Sequence, residues 1–252
     1  MSPSDQEELQ FVEVSREGVG EMTGYLLLEG GAEFGGRMAE PDLAGIALAG
    51  GLDAPIVIIP TAAAPDNNHK RAGNNGVRWF RSLGASRVST VPLIDQTSAN
   101  QADVVSSLRQ ARLVYLLGGF PHYLGQTLMG SLAWQAVSEA YSSGAVIAGS
   151  SAGAMVLCSY YFDPSEQEIS PGLGLISNAC VLPHHNKFGK GWAERIRSML
   201  PEVTLLGIDE HTGMLNNGPS GSWRVAGAGG VTIYTPTGAT RYTSGEIFSL
   251  PE

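Results

Sequence analysis

The chain has 252 residues, of which 43% are hydrophobic and only 15% charged, with 33 glycines. That length and balance suit a compact α/β enzyme with a sizeable core, and they exclude a disordered or coiled-coil chain. A net charge of −9 argues against a nucleic-acid partner but leaves a cationic substrate open. Residues 1–20 read as an acidic polar tail and 21–252 as one domain. The stretch Met1 to Gln10 lacks the positive and apolar regions of a signal peptide, and no apolar run reaches membrane-spanning length. A cytoplasmic protein with no membrane partner is therefore expected, with Cys158 and Cys180 as buried free thiols.

Short apolar runs alternate with helical segments along the chain. Tyr25–Leu28 is a predicted strand, Asp42–Ala49 a helix stopped by Gly50-Gly51, and Pro55–Pro60 a buried strand. Asn68–Leu83 is a helix, with Asn67, Asn68 and His69 as its cap, then Arg87–Pro92 a strand and Ala102–Gln110 a helix. Leu113–Leu117 is a strand running into Gly118-Gly119, followed by helices at Tyr123–Leu128 and Leu132–Ser142. The strand Ala145–Ala148 leads into a Gly-Ser-Ser-Ala-Gly turn and a helix expected to reach Cys158. Asp163–Gly174, rich in acids, Pro and Gly, reads as a loop. Leu175–Leu182 is a strand ending at Pro183-His184-His185, Ala193–Leu200 a helix, and Thr204–Ile208 a strand ending at Asp209-Glu210. The tail gives short β segments at Trp223–Ala226, Val231–Tyr234 and Glu246–Phe248. This alternation predicts an α/β fold: a mostly parallel central sheet covered by helices on both faces, with extra β segments at the C-terminus.

Ligands of open α/β sheets bind at the carboxyl ends of the strands. Four polar clusters sit at such ends: Gly118-Gly119, Ser150-Ser151, His184-His185 and Asp209-Glu210. Gly149-Ser150-Ser151-Ala152-Gly153 has the Gly-x-Ser-x-Gly pattern of a nucleophile elbow, in which a sharp strand-to-helix turn projects the apex hydroxyl. A serine nucleophile needs a base, and the imidazole needs a carboxylate to fix its tautomer. Ser151, His184 and Glu210 supply that set, in an order (Ser, His, acid) different from the α/β-hydrolases. Adjacent strand residues point to opposite faces, so only one of His184 and His185 can reach Ser151. No metal or cofactor is expected. There is no Cys-x-x-Cys or His-x-His, no Walker loop, and no dinucleotide spacing at Gly30-Gly31 or Gly35-Gly36.

Gly149-Ser150-Ser151-Ala152-Gly153-Ala154 resembles the elbow of the peptidase S51 family, which contains cyanophycinase and the aspartyl dipeptidase E. Four further motifs are similar in order: Val57–Ala63, Tyr115–Gly119, Pro183-His184, and Gly207-Ile208-Asp209-Glu210-His211-Thr212. The resemblance implies a flavodoxin-like sheet of the class I glutamine-amidotransferase-like fold. It also implies a Ser151 nucleophile, a His184 base, and an oxyanion hole of the Gly119 and Ala152 N–H groups. Glu210 matches the acid of cyanophycinases, whereas dipeptidase E places an aspartate in the loop after the elbow, where Asp163 lies.

The family implies a small peptide substrate, short or Asp-containing, and a homodimer. Phe120 and His122 stand where cyanophycinases carry a polar residue, and Arg195 lies three residues past the place of a substrate-gripping arginine. With His185 these are the candidate substrate contacts. Two other readings compete. A glutamine amidotransferase needs a Cys where Ser151 stands, and a non-catalytic member of the fold has no use for the complete Ser, His and Glu set.

Overall fold

The computed structural model describes residues 24–216 and 221–251, so the expected tail at 1–20 lies outside the described residues. Five parallel strands form the larger part of an eight-stranded sheet: β1 (Tyr25–Glu29), β2 (Ile56–Ile59), β3 (Val88–Thr90), β4 (Leu113–Leu116) and β5 (Val146–Ser150), in spatial order 1-5-4-2-3. These strands read as unbroken apolar runs because both faces are buried. Val57 and Ile59 of β2 face one core cluster, Ile56 and Ile58 the other. On the second of these faces pack α1 (Ala39–Leu48) and α2 (His69–Ser82), through Ile46 and Phe80. On the first pack α3 (Ala102–Arg109), α4 (Pro121–Leu128) and α5 (Leu132–Ser142), through Val104, Leu108, Leu124 and Val137.

After β5 the chain makes a single short helix, α6 (Ala152–Val156), and enters a second sheet. Its strands are β6 (Cys158–Asp163), β7 (Glu168–Pro171), β8 (Ile176–Leu182) and β9 (Thr204–Ile208), with α7 (Ala193–Met199) between the last two. The strands β10 (Thr212–Asn216) and β11 (Ser222–Gly227) return to the first sheet, β12 (Gly230–Thr235) and β13 (Gly238–Thr243) to the second, and β14 (Ile247–Ser249) to the edge of the first. The result is a mixed α/β fold with two sheets. The eight-stranded one runs 14-11-10-1-5-4-2-3 and the six-stranded one 13-12-9-8-6-7.

Three expectations need correction. The strands at Leu175–Leu182 and Thr204–Ile208 exist but pair with each other and with β6, not with the parallel strands of the first sheet. Local alternation marks a strand without saying which strand it joins. The expected loop at Asp163–Gly174 is largely a β-hairpin, since Asp163 pairs with Glu168 and Tyr161 with Ser170 across β6 and β7. The elbow helix stops at Val156, so Cys158 opens a strand whose Tyr160, Tyr161 and Phe162 favour extended backbone. Both cysteines are buried and free. Among the described residues no helix is long and apolar enough to cross a membrane.

Beneath the carboxyl end of β1 lies a buried acid pair. Glu29 accepts a hydrogen bond from the Tyr115 hydroxyl, and Asp42 of α1 accepts one from Trp79 Nε1 at 2.7 Å. One oxygen of each, Glu29 Oε1 and Asp42 Oδ1, is buried without a hydrogen-bond partner among the described residues. Burial, reinforced by the neighbouring Asp42 charge, lifts Glu29 well above the ordinary carboxylate range, and burial pushes Asp42 up to about 7. A carboxyl whose folded pKa is raised binds its proton more tightly in the folded state. The stability it contributes is complete below the unfolded value near 4 and is lost as pH climbs through about 7. Asp42→Asn should therefore remove a decline of a few kcal/mol between pH 4 and 8, on about 1.4 kcal/mol per pKa unit. Melting temperatures of the two proteins across that range check it. Parallel curves would refute the raised titration of Asp42.

Candidate active site

The carboxyl end of β5 delivers Ser151 in a backbone conformation that L-residues rarely adopt, φ 50° and ψ −112°. Such strain persists only when the surroundings over-determine it. Here the Ser151 N–H donates to the Glu29 carbonyl at 3.0 Å, and the Ser151 carbonyl accepts from Met155 N–H at 2.9 Å. The flanking glycines allow close approach. A Cβ at Gly149 would overlap the Gly153 backbone, and one at Gly153 the Leu116 carbonyl of β4. The Gly-x-Ser-x-Gly pattern is thus what lets α6 fold back onto the sheet.

The Gly118-Gly119 turn after β4 is clamped beside it. Gly119 has φ +140°, a Cβ there would strike the Ala62 carbonyl, and Phe120 N–H donates to that carbonyl at 2.9 Å. The N–H groups of Gly119 and Ala152 belong to the two turns that flank the Ser151 side chain, and Gly118 N–H donates to Glu33 Oε2 at 3.3 Å.

His184 lies two residues past β8, itself at φ 48°, with its N–H donated to the Gly30 carbonyl at 2.6 Å. Its Nε2 stands 3.1 Å from Ser151 Oγ and its Nδ1 2.9 Å from Glu210 Oε1. With the Nδ1 proton donated to the carboxylate, Nε2 is left to accept from the hydroxyl. Glu210 follows β9, and its N–H donates to Asn186 Oδ1 at 3.0 Å. The imidazole is closely packed. Phe188 stacks on one face at 4.9 Å and 26°, and Gly31, at φ +113°, lies where a Cβ would penetrate the ring. Gly31→Ala should therefore push the ring off Ser151 Oγ and cut turnover by at least about 100-fold, since small misplacement of a catalytic group costs that much. Steady-state kinetics with a melting curve as control check it. A fully active Gly31→Ala protein would mean the ring has slack that the geometry denies.

His185 is not at this site. The left-handed turn at His184 ends the strand alternation, and the His185 ring is buried in the second sheet, with Nε2 2.8 Å from the Tyr234 hydroxyl. Its Nδ1 lies 3.4 Å from Asp209 Oδ1, while Asp209 Oδ2 accepts from Arg241 at 2.5 Å and from Gly230 N–H at 3.0 Å. Burial pulls His185 below the ordinary histidine value, and the ring packs between Tyr234 and Asp209 instead of facing Ser151. Arg195 is likewise occupied. Its guanidinium bonds the Gln167 side chain and carbonyl and lies 5.6 Å above the Phe162 ring, because the unexpected β6–β7 hairpin comes up against α7. Asp163 accepts from Ser165 N–H at 2.8 Å, with Oδ2 3.7 Å from His122 Nδ1. Phe120, His122 and Asp163 line one open groove of about 370 Å³.

Among the described residues no group of three or more His, Cys, Asp or Glu side chains is placed to hold a metal. The sequence reading missed Gly31, Glu33, Asn186 and Phe188. Only the first two carried a signal, as they follow a strand end like the four clusters that were noticed.

The family model of peptidase family S51 matches residues 26–221. The chain belongs to peptidase family S51. It is 29% identical to the cyanophycinase of Synechococcus elongatus over 199 residues, 75% of this chain and 61% of that protein. The cyanophycinase of Nostoc sp. (strain PCC 7120 / SAG 25.82 / UTEX 2576) is 29% identical over 203 residues, 76% of this chain and 67% of that protein. The S51 chain thus spans about three fifths of the length of the first of these curated relatives. The crystal structure of a peptidase from an acI-B1 Actinobacterium superposes with a TM-score of 0.81 at 32% identity, over 92% of this chain and 98% of that one. Within the S51 chain, Glu210 rather than Asp163 is the carboxylate that faces His184.

Proposed function

We propose that this S51 chain is a serine peptidase or amidase that hydrolyses a peptide or isopeptide bond in a short or Asp-containing substrate. The observation that carries the reading is the continuous chain from Glu210 Oε1 through His184 to Ser151 Oγ, with links of 2.9 and 3.1 Å. His184 Nε2 takes the hydroxyl proton as Ser151 Oγ attacks the scissile carbonyl. The Gly119 and Ala152 N–H groups receive the resulting oxyanion, each such donor being worth roughly 3–4 kcal/mol. His184 then returns the proton to the leaving amine, and water, deprotonated by the same nitrogen, releases the acyl group. Glu210 holds the tautomer and stabilises the imidazolium. A non-catalytic role is disfavoured because a strained serine, a tightly packed imidazole and an oriented carboxylate cost stability that binding alone does not require.

The cyanophycinase relatives support an acidic, Asp-containing substrate. The test is a panel of α-linked dipeptides and β-aspartyl-arginine, read by chromatographic release of free amino acids. Hydrolysis of at least one member above the Ser151→Ala background is expected. A panel untouched by the wild-type protein would contradict the proposal.

A further inference from the structure

The loop after β1 places Glu33 on the Gly118 turn that borders the candidate nucleophile, and no step of the mechanism above uses it. Gly31, Ala32 and Phe34 all have positive φ (113°, 61° and 62°), so the loop is strained on both sides of Glu33. Strain of this kind gathers at functional sites. The loop is also pinned. Phe34 packs on Tyr115 at 5.5 Å and on Phe80 at 6.4 Å, and Gly31 underlies the His184 ring.

Glu33 Oε2 and Ser151 Cβ both lie within 3.3 Å of the point where a Gly118 Cβ would stand. Among the described residues the Gly118 N–H donates to the carboxyl at a long 3.3 Å, and the neighbouring Ser150 hydroxyl is buried without a hydrogen-bond partner. A carboxylate can accept about four hydrogen bonds, so capacity remains for a donor brought by a ligand. From Glu33 a cavity of about 550 Å³ opens along α2, with Arg71 and Arg78, two helical turns apart, on its wall.

We propose that Glu33 is the specificity-determining residue of this site and that its carboxylate binds a cationic nitrogen of the substrate, close to the scissile carbonyl. The inference rests on the hydrolytic reading of Ser151 and adds the substrate's charge pattern to it: a cation at Glu33 and a carboxylate toward Arg71 and Arg78. Burial holds the Glu33 carboxyl above its ordinary range. The cationic nitrogen can be the α-ammonium of the peptide or a basic side chain, and the chemistry is the same.

The test measures binding, so it does not depend on turnover. Aspartyl-arginine, its N-acetyl form and aspartyl-norleucine are titrated calorimetrically into Ser151→Ala and into Ser151→Ala/Glu33→Gln. The parent dipeptide should bind Ser151→Ala best. Losing one of its two cations should weaken it by about 10- to 100-fold, the range of a charge-assisted hydrogen bond. Glu33→Gln should cost the parent the same factor and leave the derivative lacking that cation unchanged. The N-acetyl arm being the weak one identifies the α-ammonium, and the norleucine arm a side chain. Equal weakening of all three peptides, no weakening, or a parent bound no better than its derivatives overturns the assignment. Glu33→Asp, with matching melting temperatures for all proteins, separates a lost charge from a damaged fold. If binding follows this pattern but the wild-type protein cleaves none of the peptides, the hydrolytic reading fails and the role of Glu33 in recognition stands.

Discussion

Ser151→Ala should fold normally and lose on the order of 10⁶ in kcat, the scale seen when a triad serine is removed. That factor corresponds to about 8 kcal/mol of transition-state stabilisation. The hydroxyl is the attacking atom, so its removal leaves only what binding and the oxyanion hole contribute. The fold should not suffer, because Ser151 Oγ contacts His184 Nε2 while the turn is held by backbone bonds to Glu29 and Met155. Alanine at φ 50° is no more strained than serine there, so the melting temperature should move little. Turnover near the wild-type value in the purified variant would remove Ser151 from the chemistry.

Glu210→Gln should be the second largest effect, lowering kcat by about 10⁴, the pattern when a triad acid becomes an amide and the imidazole takes the wrong tautomer. Its Oε1 is 2.9 Å from His184 Nδ1, and the Asn186 side chain fixes the Glu210 backbone. Asp163→Asn should change kcat only by a small factor, because Asp163 caps Ser165 N–H and faces His122 rather than His184. Measuring kcat for both variants at saturating substrate separates the two carboxylates. A severe Asp163→Asn with a mild Glu210→Gln would reverse the assignment.

The elements that form the parallel part of the first sheet were legible because burial on both faces writes unbroken apolar runs such as Ile56–Ile59. The positions of Ser151, His184 and Glu210 were legible for a different reason. Each stands just past the carboxyl end of a strand, and strand ends are marked by Gly and polar residues. What failed was long-range. The pairing of β8 with β6 and β9 is a contact between distant segments, so one sheet was expected where there are two. The same gap misplaced Arg195, whose partner Gln167 lies on a hairpin that reads locally as a loop. His185 was misjudged because its burial depends on Tyr234 and Asp209, which arrive from other strands. Phe188, four residues past His184, stacks on the imidazole only because the turn at His184 is left-handed, and nothing in the residue itself announces that.

The most direct measurement is covalent. The protein is incubated with a neutral fluorophosphonate, digested, and the adduct located by mass spectrometry. The account predicts a single adduct on Ser151, formed far more slowly in His184→Ala because the hydroxyl then lacks its base. An unlabelled Ser151, or an adduct on another serine that forms equally fast without His184, would contradict the nucleophile on which everything above depends.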